Sequence, residues 1–204
     1  MDLIEKVRAL KDSKISETID KRIKEFKEIG KDPEKIFSEL CFCICTANNS
    51  AERGLRAQKE IDFCGLGVDD LRSQMRKIVC RFYNNKTKFV LNARSKKEEL
   101  LENLKESSNG KEAREWIVQN IPGLGYKEAS HFLRNIGYED VAIIDFHIVD
   151  LLEKNNLIER PKTLTKKNYL DIEEELEKLS EETDTNLAGL DLYLWYIETG
   201  KILK

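Results

Sequence analysis

Hydrophobic residues recur along most of the chain with the spacing of amphipathic helices. This spacing is clearest in three stretches: Ile15, Ile19, Ile23 and Phe26; Ala129, Phe132, Leu133 and Ile136; and Leu187, Leu190, Leu194 and Ile197. The alternation of apolar and polar residues that is typical of strands is nearly absent. The pattern predicts an all-α protein with about ten or eleven helices joined by short links. Ser16, Asp32 and Asp184 are expected to begin helices, because short polar side chains accept hydrogen bonds from first-turn N–H groups.

The composition is that of a folded chain without a membrane segment. The 204 residues are 40% hydrophobic and 36% charged, so a sizeable apolar core can form and intrinsic disorder is excluded. No uncharged apolar stretch approaches the roughly 18 residues that indicate a transmembrane helix. The first residues, Met-Asp-Leu-Ile-Glu-Lys, do not resemble an export signal. We therefore expect a cytoplasmic protein with no membrane partner.

Five cysteines are present, and three of them alternate at Cys41, Cys43 and Cys45. This is not the pattern of zinc ligands, in which roughly two to four residues separate paired cysteines. Both histidines, His131 and His147, lie far downstream. An odd number of cysteines in a chain without an export signal indicates reduced thiols. We expect the three alternating cysteines to be small buried side chains rather than metal ligands.

Charged residues are distributed unevenly along the chain. Residues 72–97 contain nine Lys and Arg and no Asp or Glu, whereas residues 171–184 contain eight acidic residues and one Lys. A polyanion responds to the local field, so the basic segment indicates a nucleic-acid surface although the net charge is −3. A solvated helix face has the same composition, and composition does not separate the two.

The segment 121–129, Ile-Pro-Gly-Leu-Gly-Tyr-Lys-Glu-Ala, lies between two amphipathic helices. Gly123 and Gly125 permit backbone conformations and close approaches that side chains would block. The N–H groups that begin the following helix can seat a phosphate. The segment is typical of a helix-hairpin-helix element, which grips the DNA backbone without reading bases. A purely structural turn is the alternative, and the spacing of Lys127 and Ala129 from the glycines favours DNA.

Lys127 and Asp145 are the candidate catalytic residues. Lys127 lies in the first turn after the glycines, where the helix dipole and nearby cations disfavour its ammonium form, so its amine can act as a nucleophile. Asp145 follows the apolar run 141–144 and is expected to cap the next helix. Its carboxylate can also accept a proton and stabilise positive charge on a sugar. The alternatives are a lysine that only contacts phosphate and an aspartate that only caps.

These residues resemble the motif of the helix-hairpin-helix DNA glycosylases with a Gly/Pro-rich loop and a distal aspartate. Gly123 and Gly125 match the motif's glycines, Lys127 its Schiff-base lysine and Asp145 its aspartate. Within this superfamily the chain is most similar to the type 2 8-oxoguanine DNA glycosylase/AP lyases, over nearly its whole length. The segments that carry this likeness are residues 39–50, 81–86, 125–135 and 191–204.

The resemblance implies a two-lobed all-α helix-hairpin-helix fold with a cleft between the lobes. Residues 31–127 would form the central lobe, which ends in the hairpin, and residues 1–30 plus 128–204 would form the second lobe. The protein is then expected to be a monomer that extrudes a damaged nucleotide from double-stranded DNA into the cleft. DNA binding would also associate it with the nucleoid.

The resemblance also implies the reaction. Lys127 attacks C1′ of the extruded nucleotide and displaces 8-oxoguanine, and the resulting Schiff base leads to β-elimination, which nicks the strand 3′ to the abasic site. Asp145 assists deprotonation and stabilises the sugar cation. The expected partners are duplexes that contain 8-oxoguanine or abasic sites. Neither a redox cofactor nor a catalytic metal is expected, and carbonyl oxygens of Gln119, Ile121 and Leu124 would hold a monovalent cation at the hairpin.

Further residues are expected to contact the damaged base. His131 lies one helical turn after Lys127 and would cover one face of the base, unless it is a surface histidine. Trp195 in the final helix would cover the other face, with packing in the core as the alternative. The remaining expected contacts are Asp191 and the terminal carboxylate of Lys204 as acceptors for guanine N–H groups, and Phe82 as another pocket residue.

A second group of residues is expected to contact the DNA strands. Asn48 and Asn49 resemble a loop that fills the hole left by the extruded base. Arg53 and Lys86 would contact phosphates or the opposite strand.

Two features depart from related patterns, and two other functions stay open. Endonuclease III-like relatives have cysteines for an iron–sulfur cluster after the aspartate, but no cysteine follows Cys80, so this cluster is excluded. Phe146 stands where many relatives have a small or basic residue, which leaves the contacts at that helix start open. The alternatives are excision of oxidised pyrimidines on the same scaffold and a non-catalytic DNA-binding module. The pairing of Lys127 with Asp145 weighs against the second.

Overall fold

A computed structural model describes residues 2–202 of the chain. These residues form twelve α-helices and no strand, which confirms the all-α prediction, although the helices are slightly more numerous than expected. In chain order they are α1 (Leu3–Lys11), α2 (Lys14–Ile29), α3 (Pro33–Thr46), α4 (Ala51–Glu60), α5 (Val68–Ile78), α6 (Tyr83–Ser95), α7 (Lys97–Glu106), α8 (Gly110–Asn120), α9 (Tyr126–Asn135), α10 (Phe146–Lys154), α11 (Lys166–Glu182) and α12 (Leu187–Thr199). Within residues 2–202, no helix combines the length and hydrophobicity needed to cross a bilayer.

Side-chain caps begin most of the helices and correct two of the predicted starts. Asp32 caps α3 as expected, because its carboxylate accepts from two first-turn N–H groups. The cap of α2 is Ser13, and Ser16 instead lies inside the helix, where its hydroxyl donates to the Ser13 carbonyl. The cap of α12 is Asn186. Asp184 does not begin this helix, because it adopts a left-handed φ of 50° in the turn after α11.

Two clusters of buried apolar side chains form the core of the described chain. The first is built mainly by α3 to α9, runs from Ile36 to Val141, and includes the three alternating cysteines, which are buried as expected. The second joins α1, α2 and α10 to α12. The apolar face of α9 packs into the first cluster. Helix α9 also contacts α2, so the two clusters meet along the helix that carries Lys127.

A buried polar network fixes the extended segment between α9 and α10. Arg114 donates two hydrogen bonds of 2.6 Å to the carboxylate of Glu173, and both side chains are almost fully buried. Glu173 also accepts from Ala142 N at 2.8 Å. The Tyr169 hydroxyl donates to the Ala142 carbonyl at 2.7 Å and accepts from Ile144 N at 3.2 Å. Because this segment leads directly into α10, residues of α8 and α11 hold the start of α10 in place.

Candidate active site

A cavity of about 260 Å³ opens where α9, the start of α10 and α12 meet. This volume is slightly below the roughly 300 Å³ at which small-molecule sites begin. The side chains that matter for chemistry are Lys127, His131 and Arg134 from α9, Asp145 and His147 from the start of α10, and Asp191 and Trp195 from α12. The structure therefore brings six of the predicted site residues into one cavity: Lys127, His131, Asp145, Asp191, Trp195 and Asn49.

The hairpin between α8 and α9 depends on its first glycine. Gly123 has a φ of 93°, a conformation that side chains disfavour, and a Cβ there would lie 2.3 Å from the ring of Phe89. Gly125 occupies the cap position of α9 and supplies no capping side chain. The first N–H groups of α9 consequently face outward without a side-chain acceptor, which suits an anion.

Lys127 lies in the first turn of α9, with 31% of its side chain exposed. Its Nζ is 3.9 Å from the carboxylate of Glu128, too far for a hydrogen bond. His131 and Arg134 follow it at intervals of about one helical turn, so the three side chains share one face of α9. That face points into the cavity.

Asp145 caps α10, as the sequence predicts. Its Oδ1 accepts from His147 N at 2.9 Å and from Ile148 N at 3.1 Å. The other oxygen, Oδ2, makes no hydrogen bond to another part of the described chain and is available for chemistry in the cavity. One carboxylate can thus cap the helix with one oxygen and accept a proton with the other.

Asp191 is a second carboxylate in the cavity, with 14% of its side chain exposed. Burial raises the pKa of Asp191 above its ordinary value. The positive charges of Arg134 and Lys127 oppose this rise in pKa, and the negative charge of Asp145 adds to it. The charges of Lys127 and Asp145 therefore both influence the pKa of Asp191. The three side chains share one electrostatic environment.

Two aromatic side chains line the cavity, His131 of α9 and Trp195 of α12. His131 meets Phe42 edge to face, with ring centres 5.7 Å apart. Trp195 meets His147 edge to face, with ring centres 5.9 Å apart. His147 and Arg134 were not predicted as site residues. The signal for His147 is its place two residues after Asp145, and the signal for Arg134 is its helical spacing from Lys127.

Two predicted site residues lie elsewhere. Phe82 does not reach the cavity with Lys127: it is 56% exposed, has a left-handed φ of 54°, and borders a separate cavity of about 220 Å³ beside Asn48 and Gly123. Lys86 is buried, and its ammonium donates to the Cys45 carbonyl at 2.7 Å, so its charge is engaged within the chain in this structure. This contact satisfies a carbonyl at the C-terminal end of α3, where a positive charge is favoured. Burial nevertheless lowers the pKa of Lys86.

The remaining predicted contacts differ in their exposure. Asn48 and Arg53 are exposed. Asn49 borders the cavity of Lys127, but its amide donates to the Val79 carbonyl at 2.8 Å. Lys204 lies outside the described residues.

The basic segment 72–97 is only partly a free surface. Besides Lys86, Arg94 is engaged internally through hydrogen bonds to the Phe63 and Leu66 carbonyls. Lys97 pairs with Glu34 at 2.5 Å. The side chains that stay exposed are Arg72, Arg76, Lys77, Arg81 and Lys88. The positive face is therefore smaller than the sequence indicates.

Residues 2–202 contain no group of three or more His, Cys, Asp or Glu side chains that could hold a metal ion. The predicted cation ligands at the hairpin are backbone carbonyls and are a different kind of site. Ile121 O accepts a long hydrogen bond of 3.4 Å from Leu124 N, so this oxygen keeps capacity for another partner.

Comparisons with known proteins agree with this geometry. Residues 19–185 match the family model of 8-oxoguanine DNA glycosylase. An 8-oxoguanine DNA glycosylase/AP lyase of Methanocaldococcus jannaschii is 50% identical, with complete coverage of both chains. A crystal structure of the M. jannaschii 8-oxoguanine glycosylase/lyase with a 15mer DNA containing 8-oxoguanine is 49% identical, covers 99% of each chain, and superimposes with a TM-score of 0.93. The 8-oxoguanine DNA glycosylase of Thermotoga maritima is 39% identical, covers 99% of this chain and 98% of its own, and has a TM-score of 0.90.

Proposed function

Because the chain belongs to the 8-oxoguanine DNA glycosylase family, we propose that it excises 8-oxoguanine from DNA and cleaves the strand at the abasic site, with Lys127 as the nucleophile. The single observation that supports this assignment most strongly is the cavity, which Lys127 and Asp145 both line. The family match confirms the resemblance to 8-oxoguanine DNA glycosylases that the sequence shows. It leaves the roles of individual residues as proposals.

The proposed reaction begins at Lys127. Its neutral Nζ forms a bond to C1′ of the extruded nucleotide while the C1′–N9 bond breaks, and the base leaves with the electron pair of that bond. The new ammonium gives a proton to Asp145 Oδ2, which then protonates the departing base. Opening of the sugar ring leaves an imine between Nζ and C1′.

The imine then promotes cleavage of the strand. It acidifies the C2′ hydrogens, and loss of one proton drives β-elimination, in which the C3′–O3′ bond breaks and the downstream strand departs with its 5′ phosphate. Water hydrolyses the imine and regenerates Lys127. No oxidation or reduction takes place, which agrees with the expectation that no redox cofactor is needed.

The base itself would lie between the two aromatic borders of the cavity. His131 and Trp195 offer stacking surfaces from opposite helices, α9 and α12. Asp191 would accept from guanine N–H groups, and we retain the terminal carboxylate of Lys204 as a second acceptor. His147, which contacts Trp195, would support that ring.

The DNA strands would contact the surface around the hairpin. The exposed N–H groups after Gly125 would bind a backbone phosphate. Asn48 and Phe82 are exposed side by side near Gly123, so Phe82 would contact the stacked bases beside the lesion rather than the extruded base. Arg53 would contact a phosphate. Because Asn49 is held by a backbone carbonyl, we assign the filling of the vacated space to Asn48.

The hairpin carbonyls fit a monovalent cation by their chemistry, since neutral oxygens suit a weakly charged ion. Gln119, Ile121 and Leu124 would hold it, and the ion would stiffen the turn. We also propose that the protein acts as a monomer on duplexes with 8-oxoguanine or abasic sites.

Borohydride trapping tests the proposed function. Wild-type protein should form a covalent adduct with a duplex that contains 8-oxoguanine and should nick it, because borohydride reduces the imine on Lys127. Lys127→Gln should bind the duplex but form no adduct and no nick. The matched control Lys178→Gln, an exposed lysine on α11, should behave as wild type.

Three outcomes would contradict the assignment. Adduct formation by Lys127→Gln would exclude Lys127 as the nucleophile. Efficient trapping on a thymine glycol duplex, with none on 8-oxoguanine, would favour an oxidised-pyrimidine enzyme on the same scaffold. A wild-type protein that binds duplexes and traps none of them would instead be a DNA-binding module.

A further inference from the structure

Arg134 is a buried cation that the proposed reaction does not use. It lies in the last turn of α9, on the same face as Lys127, and borders the cavity. The residue is only 3% exposed, and within residues 2–202 its Nε and Nη1 form no hydrogen bond. Buried donors without acceptors cost free energy, so a group of this kind in a folded protein requires an explanation. A ligand acceptor that enters the cavity is one such explanation.

Packing holds the Arg134 guanidinium in a fixed orientation. Its central carbon lies 4.8 Å from the ring centre of Phe26, a cation–π contact. Asp191 Oδ2 lies 3.5 Å from Nη1, close enough for an ion pair but without a hydrogen bond. The Arg134 guanidinium is therefore held at the border of the cavity directly beside a carboxylate acceptor.

A donor beside an acceptor complements one edge of a purine. Guanine and 8-oxoguanine both present the acceptor O6 next to the donor N1–H, whereas adenine presents an amino donor next to the acceptor N1. A backbone phosphate is a poorer match. Asp191 would repel it, and the buried position of Arg134 is better suited to an extruded base than to the strand.

We propose that Arg134 donates to O6 of the extruded base while Asp191 accepts from its N1–H, so that the pair selects guanine-type over adenine-type bases. This inference rests on the proposed function, because it assumes that the excised base enters this cavity. The contact does not separate 8-oxoguanine from guanine, since both present the same edge. Arg134 is thus a specificity-determining residue for the purine class.

The test compares wild type and Arg134→Met in single-turnover reactions on three duplexes. They contain 8-oxoguanine, 2-amino-8-oxopurine, which lacks both O6 and the N1 hydrogen, or a pre-formed abasic site. On 8-oxoguanine the variant should be slower by at least about tenfold, the scale of a lost hydrogen bond from a charged donor. On 2-amino-8-oxopurine it should lose less than about threefold, because neither O6 nor the N1–H is present for the Arg134–Asp191 pair to contact. Cleavage of the abasic duplex should change by less than about twofold.

Arg160→Met is the matched control, since Arg160 also pairs with an aspartate, Asp150, but lies outside the cavity. It should act as wild type on all three duplexes. If Arg134→Met slows the reactions on all three duplexes equally, Arg134 serves only to stabilise the fold, and the proposal is overturned. If the variant is slowed equally on the two base-containing duplexes and is unchanged on the abasic duplex, the proposed contact with O6 is overturned.

Two further measurements keep the test decisive if Arg134→Met does not fold. Arg134→Lys keeps the positive charge beside Asp191 but loses the planar fork of donors, and it should give the same pattern with smaller losses. Wild type should excise 8-oxoguanine faster than 2-amino-8-oxopurine, and equal rates would overturn the proposal. A wild type that leaves 8-oxoguanine untouched while it cleaves abasic sites would refute the proposed function instead, independently of Arg134.

Discussion

At the level of single residues, Asp145 combines a structural and a chemical task. Its Oδ1 accepts from two N–H groups at the start of α10, Oδ2 is left without a hydrogen bond in the described chain, and the side chain borders the cavity. The two tasks use different oxygens and can therefore be separated by a substitution that preserves one of them. Asparagine is that substitution, because its carbonyl oxygen can still cap a helix but cannot take up a proton at neutral pH.

Asp145→Asn should therefore keep its fold and lose base excision. We expect the free energy of unfolding to change by less than about 1 kcal/mol, and the single-turnover excision of 8-oxoguanine to fall by about 10²- to 10⁴-fold. Trapping on a pre-formed abasic site should be affected much less, because no base has to leave. Thermal unfolding and the two trapping assays measure these effects, and wild-type excision by the variant would remove Asp145 from the reaction.

At the level of elements, α9 and α10 are joined through residues far from them in sequence. Ser130 on α9 accepts from Arg114 at 3.1 Å and lies 3.3 Å from the Tyr169 hydroxyl. The same hydroxyl binds the backbone that leads into Asp145. The network therefore couples the helix of Lys127 to the segment of Asp145, and its loss should affect their relative placement.

Tyr169→Phe should reduce both stability and turnover. It leaves buried backbone groups without a partner, so the free energy of unfolding should fall by about 1–3 kcal/mol. The rate of excision at saturating enzyme should fall more than the affinity for the duplex, because the change moves Asp145 and not the DNA surface. Denaturant unfolding, duplex binding and single-turnover kinetics provide the three measurements.

Tyr138→Phe is the control for Tyr169→Phe. Its hydroxyl donates to the Leu104 carbonyl at 2.9 Å, away from the cavity, so its loss should lower stability without slowing excision. If both variants slow excision in proportion to their loss of stability, the network has no positioning role.

At the level of the whole molecule, an acidic protein must bind an acidic polymer. The net charge is −3, and part of the basic segment 72–97 is engaged internally. Binding then depends on the exposed members of this segment and on the hairpin N–H groups. Counterion release from DNA makes such binding weaken steeply as salt rises.

Arg81→Met should reduce this salt dependence. Arg81 is exposed beside Phe82, and the loss of one phosphate contact should lower the slope of log affinity against log salt by about 1. Lys97→Met should leave the slope unchanged, because Lys97 already pairs with Glu34. Duplex affinity over a salt series measures both slopes, and equal slopes for Arg81→Met and wild type would place Arg81 outside the DNA surface.

Much of the architecture was predictable because its signals are local. Helical periodicity predicts an all-α chain, and the glycines at 123 and 125 mark the hairpin, since turn geometry and helix caps depend on a few neighbouring residues. The placement of Lys127 after the glycines and of Asp145 before α10 is equally local. These features were sufficient to indicate the family that the comparisons confirm.

The features that the sequence pattern did not reveal depend on which helices contact each other in the fold. The sequence shows only that Lys86 is basic. In the fold, α6 packs against α3, and the Lys86 ammonium is buried beside the Cys45 carbonyl. Phe82 was expected in the pocket, but the backbone turns it to a different surface. Arg134 and Asp191 become an ion pair only because the fold brings the last turn of α9 close to the side chain of Asp191 on α12. Whether a side chain is buried, and which group it pairs with, depends on contacts between segments that are distant in sequence. The hydrophobic periodicity within one segment carries no information about those contacts.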